Sequence, residues 1–353
     1  MKIFIRSASC ISPQQTFNQE QFLPVLINYT ATHLKVIQPD YATILDPKLL
    51  RRMSYIVKMG VAAAITCLKE AGIKEPGAII TGTAYGCLED TGIFLGNIIK
   101  QHEETLSPTA FIQSTHNTVG AQIALMLKCN AYNNTFVHSG FSFENALLDG
   151  IMLLQEGETD NTLVGAVDEI TDTSFAILNR FELYKQSPVS SLSLFDSECK
   201  GTIAGEGAAF FVLSSQSSDA DYARVVGLTT FYQPLSVADV EQNIIQFLAL
   251  HSLELNDIDL IITGRNGDIT NDELYDHLQS GIFLNTAVVG YKHLSGEYPT
   301  ASSFAMWLAA KILQDGHLPK VIAGDVAKEI KKALIYNTYL GKYHSLILLT
   351  AVR

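Results

Sequence analysis

Apolar and polar residues alternate along this chain in blocks of two lengths. The short blocks, rich in β-branched residues, read as strands. They include KIFIRSASCI, which runs into a loop at Ser12-Pro13, then GAIITGTAYG, AYNNTFVHSG, DNTLVGAVDEI, IDLIITG and YHSLILLTAVR. GEGAAFFVLSS is a continuous apolar run of the kind found in a central strand covered on both faces. The longer blocks carry apolar residues three and four apart and read as helices. In SYIVKMGVAAAITCLKEAGI, Met59, Ala62, Ala63, Thr66 and Cys67 fall near one face, and Gly72 stops the helix. FENALLDGIMLLQEG repeats the spacing at Ala146, Leu147, Met152, Leu153 and Leu154, and VEQNIIQFLALHSL and TASSFAMWLAAKILQDG follow the same rule. Strands alternating with helices predict a layered α/β architecture.

One polar, Ser/Asp-rich segment, SSQSSDADYA, divides the pattern and marks a link between two halves, residues 1–215 and 222–353. The order strand, helix, strand recurs on both sides, which predicts a pseudo-duplicated fold with two central sheets. No internal sequence identity accompanies the repeat.

Composition narrows the classes of function. The chain has 353 residues, 47% of them hydrophobic and 17% charged, enough for one large domain or two packed halves. A formal net charge of −12 without a run of Lys or Arg argues against nucleic-acid binding. Cys10, Cys67, Cys87, Cys129 and Cys199 form no CxxC pair and are odd in number, so neither a disulfide framework nor a zinc site is expected. Reduced thiols, an N-terminus without an apolar signal region, and no spanning stretch place the protein in the cytoplasm. Nothing in the sequence suggests a metal or an organic cofactor, and no phosphate-binding loop of the GxxxxGK[ST] type is present.

Five segments, in order, resemble the β-ketoacyl synthase family. LLRRMSYIVKMGVAAAITCLKEAGI is similar to an early helix, GAIITGTAYGCLEDT to a glycine-rich strand-turn, and STHNTVGAQIALML to a helix at the subunit interface. LFDSECKGTIAGEGAAFFVL resembles a motif ending in a Gly-Glu-Gly-Ala strand, and HLSGEYPTASSFAMWLAAKILQDGHLP the helix that carries one active-site histidine. The resemblance implies a thiolase-like fold, two pseudo-duplicated halves with central mixed sheets sandwiched by helices. It further implies dimerisation through strands joined edge to edge, and substrates delivered by an acyl carrier protein.

Such enzymes use a cysteine at a helix N-terminus, where the dipole and free N–H groups lower the thiol pKa, with two histidines and a lysine. TFVHSGFSFENALLDG resembles the nucleophile motif, but Gly140 stands at the cysteine position. Ser139 is adjacent and is the alternative nucleophile. His138 next to it does not by adjacency make a catalytic pair, because neighbouring strand residues face opposite ways. Ser142 belongs to the first turn of the helix. An alignment that holds Asp272 in place puts Gly264 where the first histidine belongs, in a turn where Arg265 and Asn266 offer hydrogen bonds. The second histidine corresponds to His293, read equally as a loop residue before a helix. Val288 takes the position of the lysine, with Lys292 nearby. Of the family's glycine-rich gating loop only Gly341 remains, in TYLGKYHS, with Tyr339 or Tyr343 filling the space of the gate.

Losing a catalytic nucleophile costs on the order of 10⁶ in rate. The resemblance therefore implies a non-condensing partner of an active ketosynthase, like the chain-length factors of type II polyketide and aryl-polyene systems. It would act as a heterodimer, with a homodimer as the alternative for the isolated chain. A tunnel wall is expected from His116, Asn117, Val119, Ala121 and Gln122 and from Phe141 and Phe143, each of which plain core packing would equally explain. The competing enzyme reading is an acyltransferase or ketosynthase-like enzyme using Ser139, assisted by His293. A third, a decarboxylase supplying malonyl-derived primers, would have to work through His293 alone. Arg51, Arg52 and Lys58 offer a basic patch for an acidic carrier protein, or ordinary surface charge.

Overall fold

One ten-stranded sheet carries the molecule, whose computed structural model describes residues 2–19, 21–104, 106–323 and 329–352; Thr30–Ala31 and Val189–Ser190 form a small second sheet. The first half contributes β1 (Ile3–Ile11), β2 (Ala78–Gly82), β3 (Tyr132–Phe136), β4 (Asn161–Asp168) and β5 (Gly207–Ser214). The second contributes β6 (Ala223–Tyr232), β7 (Leu260–Thr263), β8 (Ala287–Gly290), β9 (Lys332–Tyr339) and β10 (Tyr343–Thr350). They lie in the order β8-β7-β9-β10-β6-β1-β5-β4-β2-β3.

That order is the same in both halves. In the first, β2 runs parallel to β3 and β4, while β5 is antiparallel to β4 and to β1. In the second, β7 runs parallel to β8 and β9, while β10 is antiparallel to β9 and to β6. The duplication that the alternation of elements predicts is thus present as topology. The two expected sheets differ in one respect. Ile3–Ile5 of β1 pair antiparallel with Ala223–Val225 of β6, and this short ladder joins the halves into one sheet.

The helices of six residues or more among the described residues cover it: α1 (Tyr55–Ala71), α2 (Leu88–Lys100), α3 (Pro108–Gln113), α4 (Thr118–Leu127), α5 (Ser142–Glu156), α6 (Asp172–Asn179), α7 (Val237–Leu250), α8 (Ile269–Ser280) and α9 (Ser302–Asp315). α1 ends at Gly72 because glycine adopts the left-handed φ of 69° needed to turn its N–H back onto the Leu68 and Lys69 carbonyls. On α1, Gly60 lets α4 approach so closely that a Cβ there would lie 2.5 Å from Val119. α9 is apolar all round, with Phe304, Met306, Trp307 and Leu308 buried, so it must be enclosed on every side. It shares one core with α5 and strands of both halves. α1 and α4 form the outer layer of the first half, α7 and α8 that of the second.

Among the described residues no helix is long and apolar enough to cross a membrane, and no group of His, Cys, Asp and Glu is placed to hold a metal ion. Cys10, Cys67, Cys87 and Cys129 are buried free thiols, and Cys199 is exposed.

Candidate functional site

By topology β3 and β8 are equivalent edge strands, and each leads into a turn that carries an expected catalytic position. After β3 the chain makes one tight helical turn, Ser139–Phe141, before α5. The His138 N–H donates to Ser142 Oγ (2.8 Å), and the Ser142 hydroxyl donates to the Ser139 carbonyl (2.9 Å), which holds the turn closed. Ser139 sits at φ 49°, in the left-handed region.

Gly140 is buried at the apex. A Cβ on it would lie 2.8 Å from Tyr343 Cβ and 2.9 Å from both Cβ and Cδ1 of Tyr339. Real Cβ atoms do not pack that closely, and the two Cβ atoms are fixed to the β9–β10 backbone. The space of a cysteine side chain is therefore filled, and filled by stiff atoms. Around it the rings close a plug: Tyr343 meets Phe141 edge-on at 5.0 Å, Tyr232 at 5.1 Å, and Tyr339 at 6.2 Å.

The hairpin that supplies these tyrosines explains why they cannot swing away. Tyr339 pairs with Tyr343, the Lys342 N–H donates to the Tyr339 carbonyl (3.2 Å), and the two residues between, Leu340 and Gly341, have φ of 55° and 62°. Two successive positive φ values make the hairpin turn whose twist matches its strands. Where the resemblance implies a flexible gate, this chain has the tip of a regular ladder that runs back to Lys332 and Thr350.

At the second vacated position the filling is polar. A Cβ on Gly264 would run into Asn337 Oδ1 and lie 2.8 Å from Tyr275 OH. Both are held in place: Tyr291 OH donates to Asn337 Oδ1 (2.8 Å), and the Thr338 N–H donates to Tyr275 OH (3.0 Å). The following residues organise a turn. Asp272 accepts from Arg265 Nε (3.1 Å) and from the N–H groups of Asn266 (3.0 Å) and Gly267 (2.9 Å). Arg265 and Asn266 are thus committed to the start of α8.

After β8, the turn Lys292–Ser295 holds the remaining histidine. Burial pushes the His293 imidazole down to about 4, so it is neutral near pH 7. Its ring stands edge-on to Phe195 at 4.9 Å, and its buried Nδ1 has no partner among the described residues. Lys292 is fully enclosed: its Nζ donates to Glu297 Oε2 (2.6 Å) and to the Thr338 carbonyl (3.2 Å). Asn266 Nδ2 donates to the same Glu297 oxygen (2.8 Å). Burial raises the Glu297 carboxyl while the ammonium of Lys292 pulls it back. Val288, the expected lysine position, is a half-buried residue of β8.

No hydrogen bond among the described residues joins the Ser139 hydroxyl to His138 or His293. His138 Nδ1 pairs instead with the Asn145 amide at 3.3 Å. Of the expected tunnel residues, His116, Asn117 and Ala121 are exposed and Gln122 is half-buried. Val119 packs into the core beneath Gly60. Phe143 is fully buried in the core between the halves, its ring 5.8 Å from that of Phe211. Phe141 belongs to the plug. Arg51 and Arg52 are exposed after the short helix Pro47–Leu50, and Lys58 is half-buried on α1.

A surface that periodicity does not disclose surrounds β3. This strand bonds on one side only, to β2. α4 lies against it, tied by Asn133 Nδ2 donating to the Gly120 carbonyl (3.0 Å), and α5 packs beside it. On the strand and the two helices beside it, Leu125 (70% exposed), Tyr132, Leu148 and Met152 face solvent, with Val137 just after the strand. The available signal was the excess of outward apolar positions on these helices, which an interior face would explain equally well.

Residues 31–197 match the family described as the β-ketoacyl synthase N-terminal domain. No curated protein matches the sequence. Among solved structures, the ishigamide ketosynthase/chain length factor superposes with a TM-score of 0.80 at 18% identity, over 100% of this chain and 99% of its own. The ketosynthase ApeO in complex with its chain length factor ApeC, from Xenorhabdus doucetiae, gives 0.75 at 14%, over 99% and 98%. A type II polyketide acyl carrier protein in complex with its ketosynthase gives 0.75 at 14%, over 99% of both chains. At these identities the likeness is one of fold, and it is the thiolase-like ketosynthase fold along the whole chain.

Proposed function

From the match of residues 31–197 to the β-ketoacyl synthase N-terminal domain, we propose that this chain is a non-condensing partner subunit of an active ketosynthase, of the chain-length-factor type. One observation carries the reading. The position of the nucleophile is a glycine whose missing side chain would overlap Tyr339 and Tyr343. A subunit that had only mutated its cysteine would keep an empty pocket. Here the space at Gly140 is occupied by Tyr339 and Tyr343 and that at Gly264 by Asn337 and Tyr275, so the pocket no longer holds a thioester. The two structural relatives named as ketosynthase with chain length factor support the pairing.

The partner would bind at the β3 edge. An unpaired strand flanked by exposed Leu125, Tyr132 and Met152 is an aggregation liability in a lone chain and a ready interface in an assembly. His116, Asn117 and Ala121 lie exposed beside that edge and would reach the tunnel from across the interface, where they would limit product length. The relative solved with an acyl carrier protein supports a carrier as the source of substrate, and Arg51 with Arg52 would meet its acidic surface. The pathway would be cytoplasmic fatty-acid or polyketide synthesis, including aryl-polyene synthesis.

Intact mass after incubation with acyl-carrier-protein thioesters tests the reading. With a cysteine ketosynthase as the labelled control, this chain is expected to keep its mass. An acyl adduct mapping to Ser139 would make it an acyltransferase instead.

A further inference from the structure

A cavity of about 350 Å³ opens beside the plug, between the β9–β10 tip, the segment around Phe181, and the turn before α8. Its walls are unusual for space next to a sealed core. Three aromatic rings line it, Phe181, Tyr184 and Tyr339, together with the strained Leu340. Phe181 is 70% exposed, an apolar ring left in water at the mouth. Among the carboxylates of the lining, Asp268 is spent: it accepts the N–H groups of Thr270, Asn271 and Gly201. Glu297 is not. It is 6% exposed, its Oε2 holds Lys292 and Asn266, and its buried Oε1 has no hydrogen-bond partner among the described residues. A buried acceptor left open costs about 1–3 kcal/mol and calls for a donor that a lone chain does not supply.

We propose that this cavity binds a small organic ammonium ion, with the head group donating to Glu297 Oε1 and the apolar body against the three rings. An ammonium satisfies the lining on two counts. It supplies the missing donor, and it is attracted by aromatic faces as well as by a carboxylate. An anion would face Glu297, Asp268 and Glu182 across a lining whose single cation, Lys200, is exposed to solvent. A neutral alcohol offers a donor without the charge. The site does not depend on the pairing proposed above, and it is tested on the isolated full chain.

The probes are n-hexylammonium, 1-hexanol and hexanoate, which share a body and differ in the head. Ligand-observed NMR titration is expected to give saturable hexylammonium binding, at least ten-fold tighter than the other two. Phe181→Ser, at an exposed position that leaves the fold intact, is expected to weaken hexylammonium several-fold. Glu297→Gln is expected to weaken it ten-fold or more and to abolish the preference over hexanol. Equal affinity for the three probes, preference for the neutral or anionic one, or full affinity in Phe181→Ser would each overturn the proposal. The last readout stands even if Glu297→Gln fails to fold.

Discussion

The turn at Gly140 and the edge at β3 are close in sequence and opposite in character. At Gly140 the molecule is closed where a condensing enzyme must be open, with Tyr339 and Tyr343 standing in the place of a thiol. At β3 it is open where a self-sufficient chain would be closed, with Leu125, Leu148 and Met152 turned to solvent on the helices beside an edge strand. Side chains fill the space at Gly140, whereas nothing among the described residues covers the apolar edge at β3. The difference teaches that the interior here is complete by itself and that this part of the surface is not.

The interior side of that comparison breaks most readily at the buried ion pair. Lys292→Met leaves the Glu297 carboxylate enclosed with only Asn266, and is expected to cost about 3–5 kcal/mol in chemical denaturation. The double variant Lys292→Met/Glu297→Gln should recover most of it. A single variant as stable as the wild type would show that the pair does not hold the closed region together.

Acid should loosen the same region. Burial holds His344, on β10, down to about 4, from an ordinary value of 6.5. The unfolded chain takes up a proton below about 6.5 while the folded one resists until about 4. Stability is therefore lost as pH falls through that window and constant beneath it, by about 3 kcal/mol for this group. Melting temperature against pH should be steeper for the wild type than for His344→Gln between those limits. Parallel curves would remove His344 from the account.

The surface side is tested by charge. Leu125→Asp with Tyr132→Asp alters two exposed positions at the β3 edge and is expected to weaken a ketosynthase pairing about 100-fold, with the fold preserved. Undiminished co-purification would place the interface elsewhere. Gly140→Cys then restores the nucleophile without its space, and should destabilise the chain by about 1–3 kcal/mol without giving an acyl adduct. A stable, acylated variant would mean that the plug yields. The smallest effect belongs to Leu340→Gly, which relieves a left-handed leucine and is expected to add about 1 kcal/mol.

Much of this was written in local pattern. The strand at Gly207–Ser214, the helix stopped by Gly72, and the buried α9 follow from periodicity and glycine, and a repeated order of elements foretold the shared topology. Other elements broke the pattern. On α2 the sole buried residue is Asp90 while Ile93, Leu95 and Ile99 face water, a helix whose polarity is inverted for a lone chain. Against the resemblance the glycines at 140 and 264 read as losses, but not as filled spaces. Tyr339 and Tyr343 lie far along the chain from Gly140, as Asn337 does from Gly264, and only tertiary contact brings them together. Lys292 looked displaced because its partner, Glu297, belongs to no motif, and the open Oε1 of that partner has no sequence signature at all.

The most direct test of the central claim is native mass spectrometry of this chain co-expressed with an active cysteine ketosynthase from the same organism, after loading with an acyl-carrier-protein thioester. A one-to-one heterodimer in which only the ketosynthase gains the acyl mass is the result the closed site and open edge predict. An acyl group on this chain, or two proteins that never associate, would contradict it.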